Sequence, residues 1–198
     1  KEWMHNQDTR TYTTELKECY KDINKITKYI YDNDIGLVIE QKDIVITYDE
    51  MLQIMKLKSK NEKLVTYSML IHSKRFANGK GIFYMSFPQM EQTTGLGIAT
   101  VKRIVPKLEN VMIEYVERNQ AIYNKNKFIS KKPNKYKMLI ETESYNELDN
   151  KMYIINNESH DFNNLYNDTV LQLFSMDELK VLCTKHQYYE LLELTKHS

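Results

Sequence analysis

The sequence predicts an α+β, mostly helical protein, and three observations carry that class. Apolar residues recur at three- and four-residue spacings in long segments near both ends of the chain. Two short apolar runs in the middle meet at Gly95. Alternating segments follow them at 112–119 and 135–141, as half-buried strands do. The composition, 41% hydrophobic and 28% charged over 198 residues, is that of a globular chain long enough for one domain with a real core or two small ones. No apolar run approaches the ~20 residues that span a bilayer, and no N-terminal signal pattern is present, so no membrane partner is expected. Cys19 and Cys183 are the only cysteines and lie far apart in helical contexts. That usage excludes a disulfide framework and fits a reducing cytoplasm. The chain opens on Lys1 rather than Met, as a piece of a longer protein would.

The elements follow in order. In "TTELKECYKDINKITKYIYDN", Leu16, Cys19, Tyr20, Ile23, Ile26, Tyr29 and Ile30 form an amphipathic stripe, with Thr13 or Thr14 as cap and Gly36 beyond the end. β-Branched runs at Leu37–Ile39 and Ile44–Thr47 read as short strands or extended connectors. A second helix spans "SKNEKLVTYSMLIHSKRFANG": Ser59 and Glu62 have capping-box spacing, Leu64, Tyr67, Met69, Leu70 and Ile71 supply its buried face, and Asn78-Gly79 stops it. "KGIFYMS" is a short strand. Ser86 then caps a short helix over 87–94 with Met90 inward, Gly95 makes the turn, Leu96 packs into it, and Gly97 caps the next helix. Val101, Ile104 and Leu108 form one face of that helix, leaving Ile98, Ala99, Thr100, Lys102, Arg103 and Lys107 on the others. Pro106 removes a backbone donor inside it, so the helix either kinks or ends at Ile104. The alternating "MIEYVERN", a loop to Asn134 and the alternating "KYKMLIE" make a hairpin. Two helices across a tight turn followed by a hairpin is the order of a winged helix-turn-helix.

From "EKLVTYSMLIHSKRFANG" through "TTGLGIATVKR" to "KKPNKYKML", roughly residues 60 to 140, the chain resembles the winged-helix domains of plasmid and phage replication initiators and primosome-type proteins of low-GC Gram-positive bacteria. The elements that carry the likeness are the aromatic helix ending at Asn78-Gly79, the helix-turn-helix centre, and the Pro133-Asn134-x-Tyr136 return from the wing. The resemblance implies binding of double-stranded DNA and, more narrowly, origin recognition in DNA replication. The same scaffold serves transcriptional repressors. On this division, residues 1–35 are an N-terminal helical extension, 36–141 the winged-helix domain, and 142–198 an acidic helical region.

Charge gives the anionic partner independent support. The net charge of +1 hides a middle, Lys56 to Lys137, with 17 Lys or Arg against five acids, while the rest of the chain has 11 basic and 22 acidic residues. A nucleic acid for the middle and a surface neutralised by its own ends are both consistent with that asymmetry. Between Arg118 and Lys137 there are seven basic residues and no acid: Arg118, Lys125, Lys127, Lys131, Lys132, Lys135 and Lys137. A flexible ammonium suits phosphate, and each neutralised phosphate releases counterions. Tyr123, Phe128 and Tyr136, interleaved among them, read as packing on the wing rather than stacking on bases. The expected DNA-binding residues are therefore Ile98, Thr100, Lys102, Arg103 and Lys107 on the recognition helix, with Arg118, Lys125, Lys127, Lys131, Lys132 and Lys135 on the wing.

No enzyme is expected. His5, His72, His160, His186 and His197 are scattered without metal-ligand spacing, no glycine loop cradles a phosphate, and the acidic "YDNDIG" and "ELDN" read as turns. No cofactor or metal is implied. At the end of the chain, "SMDELKVLCTKHQYYELLELTK" opens with Ser175 and Glu178 in capping-box spacing and carries a stripe of Met176, Leu179, Leu182, Cys183, Tyr189, Leu192 and Leu194, preceded by the similarly apolar "NLYNDTVLQLF". Two readings stand: packing on the chain's own N-terminal helix, or an interface for a homodimer or for a protein of the replication machinery. A third functional class, a protein-interaction module whose wing docks on an acidic partner, fits the same charges.

Overall fold

The computed structural model describes residues 16–32, 43–118, 121–124, 127–131, 133–140, 151–156 and 162–196, divided between two units, Lys1–Glu40 and Gln41–Ser198. The fold is α+β and mostly helical, with small antiparallel sheets. In the first unit, α1 (Leu16–Asp32) forms where the three- and four-residue spacing places it. Its expected caps, Thr13 and Thr14, and the run Leu37–Ile39 lie outside the described residues.

The second unit begins with β1 (Ile44–Thr47), which runs straight into α2 (Tyr48–Met55), a helix not expected from the sequence. Thr47 makes the switch: its hydroxyl accepts from the Glu50 amide at 3.3 Å, and Glu50 returns a carboxylate to the Thr47 amide at 3.0 Å. Next comes α3 (Lys60–Phe76), which is buried continuously from Lys63 to Ile71. The capping box expected of Ser59 and Glu62 does not form; Ser59 occupies the cap position without a side-chain hydrogen bond. The helix ends at Ala77 in extended backbone, and the turn beyond it is tied by the Asn78 side chain, which accepts from the amides of Lys80 and Ile82. Gly81, not Gly79, takes the positive φ there.

β2 (Ile82–Tyr84), α4 (Phe87–Thr94) and α5 (Ile98–Ile104) follow, then a 3-10 turn over Val105–Leu108. Pro106 thus ends the helix at Ile104 rather than kinking it. The strands β3 (Ile113–Glu117) and β6 (Lys135–Met138) pair antiparallel, and β2 adds to the other edge of β6. Between them, where the sequence reads as a loop, β4 (Ala121–Asn124) and β5 (Lys127–Lys131) make a second hairpin with a register shift at Ile122/Tyr123. β7 (Met152–Ile155) returns to pair with β1, and α6 (Phe162–Leu173), α7 (Met176–Leu182) and α8 (Lys185–Lys196) complete the chain. The stripe that reads as one terminal helix is two. Cys183 is extended, and Thr184 with Gln187 starts α8 through a reciprocal pair of 3.4 Å contacts.

α3 explains how these parts cohere. At 100° per residue its apolar positions divide between two sides. Leu64, Tyr67, Leu70 and Ile71 join a core with β1, α2, β7, α6 and the buried Leu179 and Leu191 of α7 and α8. Val65 and Met69 join a second core with Phe83, Met90, Val101, Ile104, Val105, Leu108, Ile113 and Tyr136. The segment 151–196 therefore shares a core with residues 44–71, on both sides of the expected 141/142 boundary.

Candidate nucleic-acid interface

The corner between α4 and α5 is built from local chemistry. Ser86 and Gln89 form a capping box at the start of α4, with Pro88 in its first turn. Gly95 closes the helix at φ 69°, a left-handed conformation that favours glycine, and its amide donates to the Glu91 carbonyl at 2.8 Å. Thr94 is buried and donates its hydroxyl to the Met90 carbonyl, while the Leu96 amide donates to that hydroxyl oxygen. Gly97, at the N-cap of α5, has no side chain to offer. The carboxylate of Glu91 takes that role from α4, accepting from the Ile98 amide at 2.8 Å. Sequence reading missed Glu91. The signal was a side-chain-less cap with an acid seven residues before the helix starts.

The orientation of α5 follows from its cores. Val101 and Ile104 are buried together with Val105 and Leu108, so the opposite side carries Ala99, Lys102 and Arg103 into solvent, with Ile98 and Thr100 half-buried at its borders. Lys107 is exposed too, but on the 3-10 turn rather than on the helix. No described acidic side chain pairs with Lys102, Arg103 or Lys107.

The strand residues differ. Arg118, just beyond the end of β3, forms an ion pair with Glu109, and its guanidinium lies 3.9 Å over the Tyr115 ring. Lys135 forms a 2.7 Å ion pair with Glu117, its direct neighbour across β3 and β6, and sits 5.2 Å from the centre of the Tyr84 ring. The bond to Glu117, then that to Tyr84, raises the Lys135 pKa. On the same strand Lys137 stands opposite Glu114. These carboxylates cancel charge that the sequence run between 118 and 137 appeared to leave unopposed. Tyr136 belongs to the core, where burial raises its pKa well above the usual phenol range. Lys127 and Lys131 lie at the two ends of β5, while Lys125 and Lys132 lie outside the described residues.

Elsewhere the basic middle is also partly consumed. Lys60 pairs with Glu190 of α8 at 2.8 Å, and Lys74 pairs with the buried Glu50 at 2.6 Å. Lys63 is buried, donating to the Leu182 carbonyl and to the Gln187 side chain. His72, half-buried, bonds the Tyr84 carbonyl, and desolvation lowers its pKa. Among the described residues no cluster of His, Cys, Asp or Glu is placed to hold a metal, and no helix is long and apolar enough to cross a membrane. No protein-family model, curated protein or solved structure matches the chain.

Proposed function

We propose that the Gln41–Ser198 unit is a winged helix-turn-helix that binds duplex DNA, and that it is the origin-recognising part of a plasmid or phage replication initiator. In this reading α4 and α5 are the helix-turn-helix, and the strands from β3 to β6 are the wing. One observation carries it: α5 buries Val101 and Ile104 and turns Ala99, Lys102 and Arg103 outward, with no described carboxylate in an ion pair with either cation. Exposed basic residues on the second helix of such a pair suit the floor of a groove and its phosphate walls. The size is also apt. An α-helix is about 10–12 Å across with its side chains, which matches a major groove about 12 Å wide.

Roles divide by side-chain chemistry. Arg103, with Thr100 and Lys102, reads base edges, since an arginine can grip guanine through two hydrogen bonds. Lys125, Lys127, Lys131 and Lys132 hold phosphate without reading sequence. Arg118 and Lys135 contribute less, because each would exchange a carboxylate partner for a phosphate. The replication role rests on the resemblance across residues 60 to 140. Selecting bound fragments from random duplex DNA tests it. Enriched direct repeats are the result expected of an initiator, a lone palindrome would indicate a repressor, and no enrichment would indicate a protein-interaction module.

A further inference from the structure

We infer that Glu91 is a specificity-determining residue: its carboxylate, fixed at the start of α5, penalises phosphate there and so weakens binding to DNA of the wrong sequence. The inference rests on the duplex-binding reading above. Glu91 is the only acid between Glu62 and Glu109, a stretch that carries seven basic residues. Its position is set by α5 itself, since Oε1 accepts from the Ile98 amide at 2.8 Å. Nothing obliges the chain to cap α5 in this way. Gly97, at the N-cap, has φ −58° and ψ 144°, a conformation open to any residue, and no atom beyond its chain neighbours lies within 4 Å of a Cβ placed there. A serine or aspartate at 97 would fit and would cap the helix locally. Capping alone therefore does not require a carboxylate reaching over from α4.

The carboxylate is also within reach of a partner. Glu91 is half-buried, and Gly95, Gly97 and Ala99 around the turn are exposed and carry no side chain longer than a methyl. In a helix-turn-helix the first residues of the second helix meet base edges, whereas binding without sequence preference is contact with phosphate. The two surfaces differ in what they offer a carboxylate. Cytosine and adenine present amino donors in the major groove; phosphate presents only negative oxygen. At contact distance, well inside the ~8 Å Debye length at physiological salt, carboxylate and phosphate repel. The penalty falls on the complex held by phosphate alone. When Thr100, Lys102 and Arg103 seat α5 on bases, the start of the helix lies in the groove and escapes most of it.

Titrations of the full chain on a selected and a scrambled duplex at several salt concentrations test this. Glu91→Gln keeps an acceptor for the Ile98 amide and removes the charge. It should bind the scrambled duplex tighter by on the order of fivefold, gain less on the selected one, and lose the difference as salt rises. Adding Gly97→Asp to Glu91→Gln should restore the parent's discrimination, because a carboxylate returns to the same helix start. Adding Gly97→Asn, which caps as well without charge, should not. Discrimination unchanged by Glu91→Gln, weaker binding to both duplexes, or recovery with Asn as complete as with Asp would overturn the inference and leave the duplex-binding reading standing. A parent chain that binds neither duplex would overturn both.

Discussion

Glu178 takes hydrogen bonds on both carboxylate oxygens. One accepts from the Ser175 amide and hydroxyl, each at 2.7 Å, and the other from the Tyr48 hydroxyl at 2.8 Å. These bonds, those from Ser175 first, hold its pKa at about 2 against an ordinary 4.5. The same contact raises the Tyr48 pKa. A depressed carboxyl pKa contributes stability that is complete above the unfolded value and is lost as pH falls through the folded one. Glu178→Gln should therefore unfold at lower temperature than the parent at neutral pH, and the gap should close between about pH 4.5 and pH 2. Parallel thermal melts across that range would measure it; a gap independent of pH would mean that the carboxylate's charge contributes nothing. The contact matters because it spans 130 residues, joining α2 to α7.

The elements divide into those written in local sequence and those that are not. α4, α5, β3 and β6 were legible because their periodicities and the glycines at 95 and 97 are local signals, and Lys102 and Arg103 were placed outward by the same spacing that buries Val101 and Ile104. Pairing of β1 with β7 was not legible, because it joins segments about a hundred residues apart and neither carries a turn signal to the other. α2 was hidden because its capping Thr47 is also the last residue of a β-branched run. The carboxylate partners of Arg118 and Lys135 were hidden for a related reason: Glu117 meets Lys135 only through strand register, and Glu109 meets Arg118 only through the fold. Wing charge read from sequence therefore exceeds what the strands leave unpaired. For the α4–α5 corner the consequence is specific. Nothing lies within 4 Å of a Cβ placed on Gly95, so Gly95→Ala suffers only the left-handed backbone. It should cost ~1–2 kcal/mol in denaturant unfolding; an unchanged midpoint would show that the turn relaxes freely.

At the scale of the whole molecule, acidic ends and basic middle are partly one structure. Lys60 with Glu190, Lys74 with Glu50 and Lys63 with the α7–α8 junction tie the middle to its flanks, while α5 keeps its cations outward. Removing residues 175–198 would take Leu179 and Leu191 from the core shared with α3. Removing a buried leucine side chain costs ~2–5 kcal/mol out of a usual total of ~5–15, so the truncated chain should unfold at much lower denaturant concentration. An unchanged midpoint would show that α7 and α8 are dispensable to the fold. The central claim, that α5 reads DNA and the wing holds it, is tested most directly by titrating the chain on a selected and a scrambled duplex at several salt concentrations. Arg103→Ala should cost ~1–3 kcal/mol on the selected duplex and little on the scrambled one. Lys131→Ala with Lys132→Ala should weaken both alike and flatten the dependence of log affinity on log salt by about 0.9 for each phosphate no longer neutralised. Binding that neither change affects would contradict the account and leave the α4–α5 corner a purely structural one.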